Sequence, residues 1–259
     1  MIIGFLALFS AILNKKWGFF LALLASLSLI IFRIILLKRP PVATLTESAL
    51  FIATILLALT FYIPPLGRTL SVIAAFLLFI SPLSNDAIAP VLRSSFWLTI
   101  HVLTIVTSYG LLLGASAVGH YLVLKKNDLL AKALERLLSW GTILLIIGTL
   151  LGGVWASTSW GRFWDWDPKE TWAFVSISLY LMGLHAWHYG KIEIFGLSFF
   201  AILASNSITF TWYGLNILIN KGLHTYGFTD APVIPYLGFL FAELLFCSFI
   251  GCKRLIAKK

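Results

Sequence analysis

The chain has 259 residues, 60% of them hydrophobic and only 11% charged, with a mean hydropathy of +0.96. Soluble domains carry about 25% charged residues, so this composition excludes one and points to a membrane protein. The net charge of +9 is what basic loops give a polytopic protein, and it does not call for nucleic acid as a partner.

In chain order, residues 1–13 form an apolar piece too short to span comfortably. Asn14-Lys15-Lys16 follows it instead of a small-residue cleavage site, so we read a truncated or tilted helix and not a signal segment. Apolar runs then cover 17–37, 47–63, 68–82, 97–123, 138–155, 171–188, 192–214 and 231–252. A spanning helix needs about 20 residues and tolerates fewer. The expected fold is therefore an all-α polytopic membrane protein of about eight transmembrane helices with a short extra N-terminal one. Without repeats, low-complexity tracts or soluble linkers, residues 1–259 read as a single integral membrane domain. Cys247 and Cys252 are five positions apart near the end of the last run. They do not share a helix face and read as small apolar residues.

Basic residues set the orientation, because cytoplasmic loops carry the excess of Lys and Arg. One topology places twelve of them inside against seven outside, with KKNDLLAKALER and CKRLIAKK both inside. The segment between the runs 138–155 and 171–188 is then extracytoplasmic.

That segment holds WASTSWGRFWDWDPKETWAF, in which five of the ten tryptophans (Trp155, Trp160, Trp164, Trp166 and Trp172) accompany Arg162, Asp165, Asp167, Lys169 and Glu170. Tryptophan gathers at bilayer interfaces, which accounts for Trp155 and Trp172 but leaves the three between them unexplained. Asp167 as N-cap, Pro168 at the first helical position and Glu170 at the third form a capping box that starts the next helix. Trp164 and Trp166, ahead of the cap, face one side if the backbone there is extended. A rigid aromatic wall at a helix start suits a planar apolar ligand with ionic edges. Haem fits, with Arg162 or Lys169 near a propionate.

Haem requires axial ligands, normally imidazole. His101 opens its span at the outer end, and His224 lies in the outer loop before the last span. The two flank the tryptophans in sequence and stand on the same face. On the residues alone they are either solvated interfacial histidines or ligands. His185 lies about 21 Å down the span that begins at 171, at 1.5 Å per residue, and an ionisable group at that depth is a functional candidate. His120 and His188 read as interfacial.

The motif WGRFWDWDPKETWAF resembles the tryptophan-rich "WWD" signature of the haem-handling proteins of cytochrome c biogenesis, and its WDPKETWA ending is similar to the CcsA (ResC) type. The resemblance runs from about 94 to 228, through SSFWLTIHVLTIVTSYG and GLNILINKGLHTYGF, with a weaker match at PPVATLTESALF. It implies haem b as ligand and substrate, delivered across the membrane and presented to apocytochrome c, whose Cys-x-x-Cys-His thiols attack the vinyl groups. It also implies a CcsB (ResB)-type partner and a thioredoxin-like thiol reductant. His101 and His224 match the external axial pair, and His185 matches the histidine of a second haem site in the membrane, whose other ligand belongs to the partner. Trp155, Trp160, Trp164, Trp166, Trp172, Arg162 and Asp167 fall within the signature. The implied role is one subunit of a cytochrome c synthase, a haem lyase. A haem exporter or chaperone without attachment activity is the alternative. The implied location is the bacterial cytoplasmic membrane or the thylakoid membrane.

Overall fold

The computed structural model describes residues 2–81, 96–219 and 232–257. Every regular element among them is helical. The order is α1 (Ile2–Leu13), α2 (Lys16–Leu37), α3 (Leu45–Tyr62), a 3₁₀ turn (Pro64–Leu66), α4 (Gly67–Ile80), α5 (Phe96–Leu124), α6 (Asp128–Trp160), α7 (Pro168–His188), α8 (Ile194–Thr209) continued by a π-helical stretch (Phe210–Ile219), and α9 (Val233–Ala257). Among the described residues, six helices are long and apolar enough to cross a membrane: α2, α3, α5, α6, the α8–π unit and α9. The molecule is a polytopic membrane protein.

Of the eight expected spans, 68–82 comes out short, as α4, and 171–188 forms α7, which is not among the six; the N-terminal piece is short, as expected. The 12 residues of α1 rise about 18 Å, well under a hydrocarbon core of about 30 Å. The 14 residues of α4 fall short in the same way. These two short helices pack together, and Arg68 at the start of α4 donates through Nε to the Ala11 carbonyl at 3.2 Å. That bond serves one of the carbonyls a helix end leaves without an intrahelical donor.

Helix α6 begins ten residues ahead of its apolar run. Asn127 caps it, its side chain accepting from Leu130 N at 3.0 Å. The first turns bury Leu130, Ala133, Leu134 and Leu137, the three-and-four spacing of an amphipathic face. Asp128, Leu129, Lys132 and Arg136 of these turns are exposed.

The core lies between α3, α5, α6 and α8. Close approach there depends on small residues, as is general for helices packed in membranes. A Cβ on Gly119 of α5 would stand 2.8 Å from the Ser198 carbonyl oxygen of α8. Helix α9 is held at its start by Tyr236, which packs on Tyr213 at 5.4 Å, and by polar contacts further along. His120 Nε2 of α5 lies 3.3 Å from Glu243 Oε2, and Arg254 pairs with Glu193 at 3.1 Å while stacking over Phe195.

Candidate functional site

One end of the bundle opens into a cleft built from the starts of α3, α5 and α7, the end of α6, the π-helical stretch and the 42–44 turn. Its empty space is about 980 Å³, counting the open mouth. The walls are mostly apolar, with Trp155, Trp164, Trp212, Tyr109 and Leu98 beside His101, Lys169, Glu170 and Ser48.

His101 is oriented from its far side. Its Nδ1 lies 2.7 Å from the Gly148 carbonyl oxygen. A carbonyl can only accept, so Nδ1 carries a proton, and in the neutral ring Nε2 then has the lone pair with which an imidazole binds a metal. Gly152 leaves the ring its room: a Cβ there would lie 2.7 Å from Cε1 and 2.9 Å from Nδ1. Trp155, almost fully buried, lies parallel to the imidazole with an interplanar angle of 8° and ring centres 6.3 Å apart.

The tryptophan stretch is half helix. Residues up to Trp160 complete α6, which ends on Gly161 in the left-handed region (φ 75); only glycine adopts that conformation at little cost. Trp160 meets Trp155 edge-on at 4.8 Å and lies behind the wall. Trp164 lines the cleft, and its buried indole N–H has no acceptor among the described residues. The extended reading of 164–166 does not hold. Trp166 has φ 56, is 63% exposed, and stands perpendicular to Trp164 at 5.5 Å, against Phe174. A left-handed residue breaks the alternation that would have put both rings on one side. Trp172 packs on Phe210 at 4.5 Å, outside the lining.

The capping box is present. Asp167 accepts from Glu170 N at 2.9 Å, and Glu170 Oε2 accepts from Asp167 N at 3.3 Å and from Asp165 N at 2.7 Å. Arg162 is turned outward and paired with Asp165 at 2.6 Å. Of the two cations considered for a carboxylate, Lys169 is therefore the one in the cleft wall. It stands in the first turn of α7, half-buried. Desolvation pushes its ammonium down from 10.5 to about 8, with Asp167 pulling the other way.

His224 lies outside the described residues. His185 is remote from the cleft. It sits near the far end of α7 on the exposed face of the chain, its Nδ1 donating to the Leu181 carbonyl at 2.7 Å. His188 is exposed at the same end.

Sequence reasoning missed Trp212, Gly152 and Glu47. Gly148-x-x-x-Gly152 is a small-residue spacing that marks close helix packing, and Thr44-x-x-Glu47 is a capping-box signature. Both were visible signals. Trp212 had none, since only the fold brings it to this end.

Fold and site define a multi-pass membrane protein with an aromatic-walled, imidazole-bearing cleft at one end of its helical bundle. The family model of the cytochrome c assembly proteins matches residues 17–224, and the chain belongs to that family, with its role in cytochrome c biogenesis. Among relatives, NrfI of Wolinella succinogenes is 39% identical over 161 residues, 55% of this chain and 17% of that protein. The cytochrome c biogenesis protein CcsA of Lotus japonicus is 42% identical and that of Manihot esculenta 41%, each over 92 residues, 36% of this chain. The matched part spans 28% of each CcsA protein.

Proposed function

We propose that this chain receives haem and presents it at the cleft for covalent attachment to apocytochrome c, working with a CcsB-type membrane subunit. The observation that carries the reading is His101. Gly148 fixes its proton on Nδ1, which leaves Nε2 as an iron-ligating nitrogen in a pocket walled by Trp155, Trp164 and Trp212. The donor set suits a porphyrin: a lone-pair nitrogen for the metal, flat indoles for the ring, and an ammonium with a buried indole N–H for a carboxylate edge.

Each residue has a bounded task. His101 would hold the haem iron through Nε2, and His224 would supply a second imidazole. The indoles exclude water and hold the ring, leaving an edge toward the cleft mouth, and Lys169 orients the acidic edge. Work of this kind is positioning, since the attacking thiols belong to the Cys-x-x-Cys-His segment of the cytochrome. His185, on the exposed face of α7, suits a ligand set completed by the partner subunit, and the cleft faces the extracytoplasmic side.

The test is the visible spectrum of the purified chain, with and without its partner, followed by co-expression with apocytochrome c in cells lacking their own attachment pathway. A six-coordinate haem spectrum and a covalent product support the reading. Bound haem without covalent product would favour an exporter or chaperone, and no Soret band in any preparation would end the haem reading.

A further inference from the structure

Resting on the haem reading, we infer that Glu47 is a positioning residue for the cleft, setting the planes of Trp155 and Trp212 through the 43–44 turn and Ser48. Glu47 is fully buried in the first turn of α3. Its Oε1 accepts from Arg33 Nη2 at 3.0 Å and Arg39 Nη2 at 2.9 Å. Its Oε2 accepts from Arg39 Nη1 at 3.1 Å and from the backbone of Ala43 at 2.7 Å and Thr44 at 3.2 Å. One carboxylate thus gathers five donors from α2, the turn after it and the start of α3.

A buried ionic cluster is weak evidence for stability, because apolar residues of similar volume often serve as well or better. What such a cluster does secure is geometry, and here the geometry leads into the cleft on two sides. Ala43, held by its N–H, packs with Leu98 against Trp155, and Trp155 lies parallel to His101. Ser48, one residue after Glu47, receives the Trp212 indole N–H at 2.9 Å while its own hydroxyl donates to Leu45 O at 2.8 Å. Val42, Ala43, Thr44, Ser48 and Trp212 all line the cleft. Glu47 touches no cargo and acts only through these neighbours.

The experiment compares Ser48→Ala, Trp212→Phe, their double variant and Glu47→Gln, each co-purified with the partner subunit. Haem affinity, the spectrum of the bound haem and the thermal midpoint are read for each. Ser48→Ala removes one acceptor and no charge, so the fold survives it. We expect about a threefold to tenfold loss of haem affinity, the worth of one hydrogen bond. That loss should vanish in the Trp212→Phe background, which has no N–H to orient. Glu47→Gln should shift the spectrum of the haem that remains as well as lower the midpoint. The inference is overturned if Ser48→Ala and Glu47→Gln hold haem with wild-type affinity and spectrum while only their midpoints fall. Should Glu47→Gln fail to accumulate, the Ser48–Trp212 cycle decides alone, and additive losses there refute it. Failure of the haem reading itself shows separately, as a wild-type preparation without haem.

Discussion

At the scale of single residues, the cleft depends on what is small as much as on what is aromatic. Gly152 is the test case. A methyl group there would meet the His101 ring at 2.7 Å, closer than van der Waals contact permits, and the ring is already tied to Gly148. Gly152→Ala should fold, since alanine is the better helix former, yet turn the imidazole off its axis. Its haem spectrum should resemble that of His101→Ala, high-spin-like, and exogenous imidazole should restore both. A low-spin spectrum equal to wild type would show that His101 is not an iron ligand. Lys169 gives a pH signature. With its ammonium at about 8 in the folded chain, it is charged at neutral pH and neutral well above. A carboxylate beside it favours the charged form, raises that value, and makes binding take up a proton above pH 8. Haem affinity should therefore hold up to about pH 8 and fall as pH rises through the region between the free and bound values. Lys169→Gln should flatten that fall, and a haem whose propionates are esterified should not show it. An identical pH profile for the ester would remove Lys169 from the site.

At the scale of elements, the start of α7 separates a structural role from a ligand role within the tryptophan stretch. Asp167 caps the helix and Glu170 closes the box. Asp167→Ala should cost about 1 kcal/mol at this helix start. We expect a lower thermal midpoint with the spectrum of retained haem unchanged and no gain from imidazole, and Asp167→Asn, which can still cap, should recover most of the midpoint. A spectral shift in Asp167→Ala that imidazole reverses would move Asp167 into the ligand set. This cap was legible in the sequence because its signal is local: an N-cap, a proline and a glutamate within four residues. The long apolar runs were legible for the same reason, and among the described residues six of them fold as helices long and apolar enough to cross a membrane. What escaped was anything set by distant contacts. The polar Ser157-Thr158-Ser159 reads as loop, yet α6 continues through it because Ser157 and Thr158 return their hydroxyls to backbone carbonyls at 2.8 Å. The π-helical turn that brings Trp212 to the cleft has no sequence mark. Of Trp164 and Trp166, expected to face one side, only Trp164 lines the cleft, and its partners Trp155 and Trp212 arrive from α6 and from the π-helical stretch after α8.

At the scale of the whole molecule, the cleft and most of the described basic residues lie at opposite ends, although Arg33, Lys38, Arg39, Arg162 and Lys169 stand at the cleft's own end. The cleft collects the starts of α3, α5 and α7 and the end of α6. Lys125 and Lys126 follow the far end of α5, Lys132 and Arg136 lie in the first turns of α6, Lys191 precedes α8, and Lys253 and Arg254 lie near the end of α9. By the charge rule the second set is expected to be cytoplasmic, which on the proposed function would open the cleft to the extracytoplasmic side. Single cysteines test it. Cys252 is exposed near the C-terminal end of α9, beside the basic set, and Cys247 is buried, so on this orientation the unaltered chain should take up no membrane-impermeant thiol reagent in intact cells. In a Cys252→Ser background, Ser159→Cys beside the cleft should label from outside, and Lys126→Cys, exposed between α5 and α6, should label only after the membrane is opened. The reverse pattern would put the cleft on the cytoplasmic side. Haem would then be loaded and released on one face, and neither the handover to apocytochrome c nor a conduit through His185 would stand.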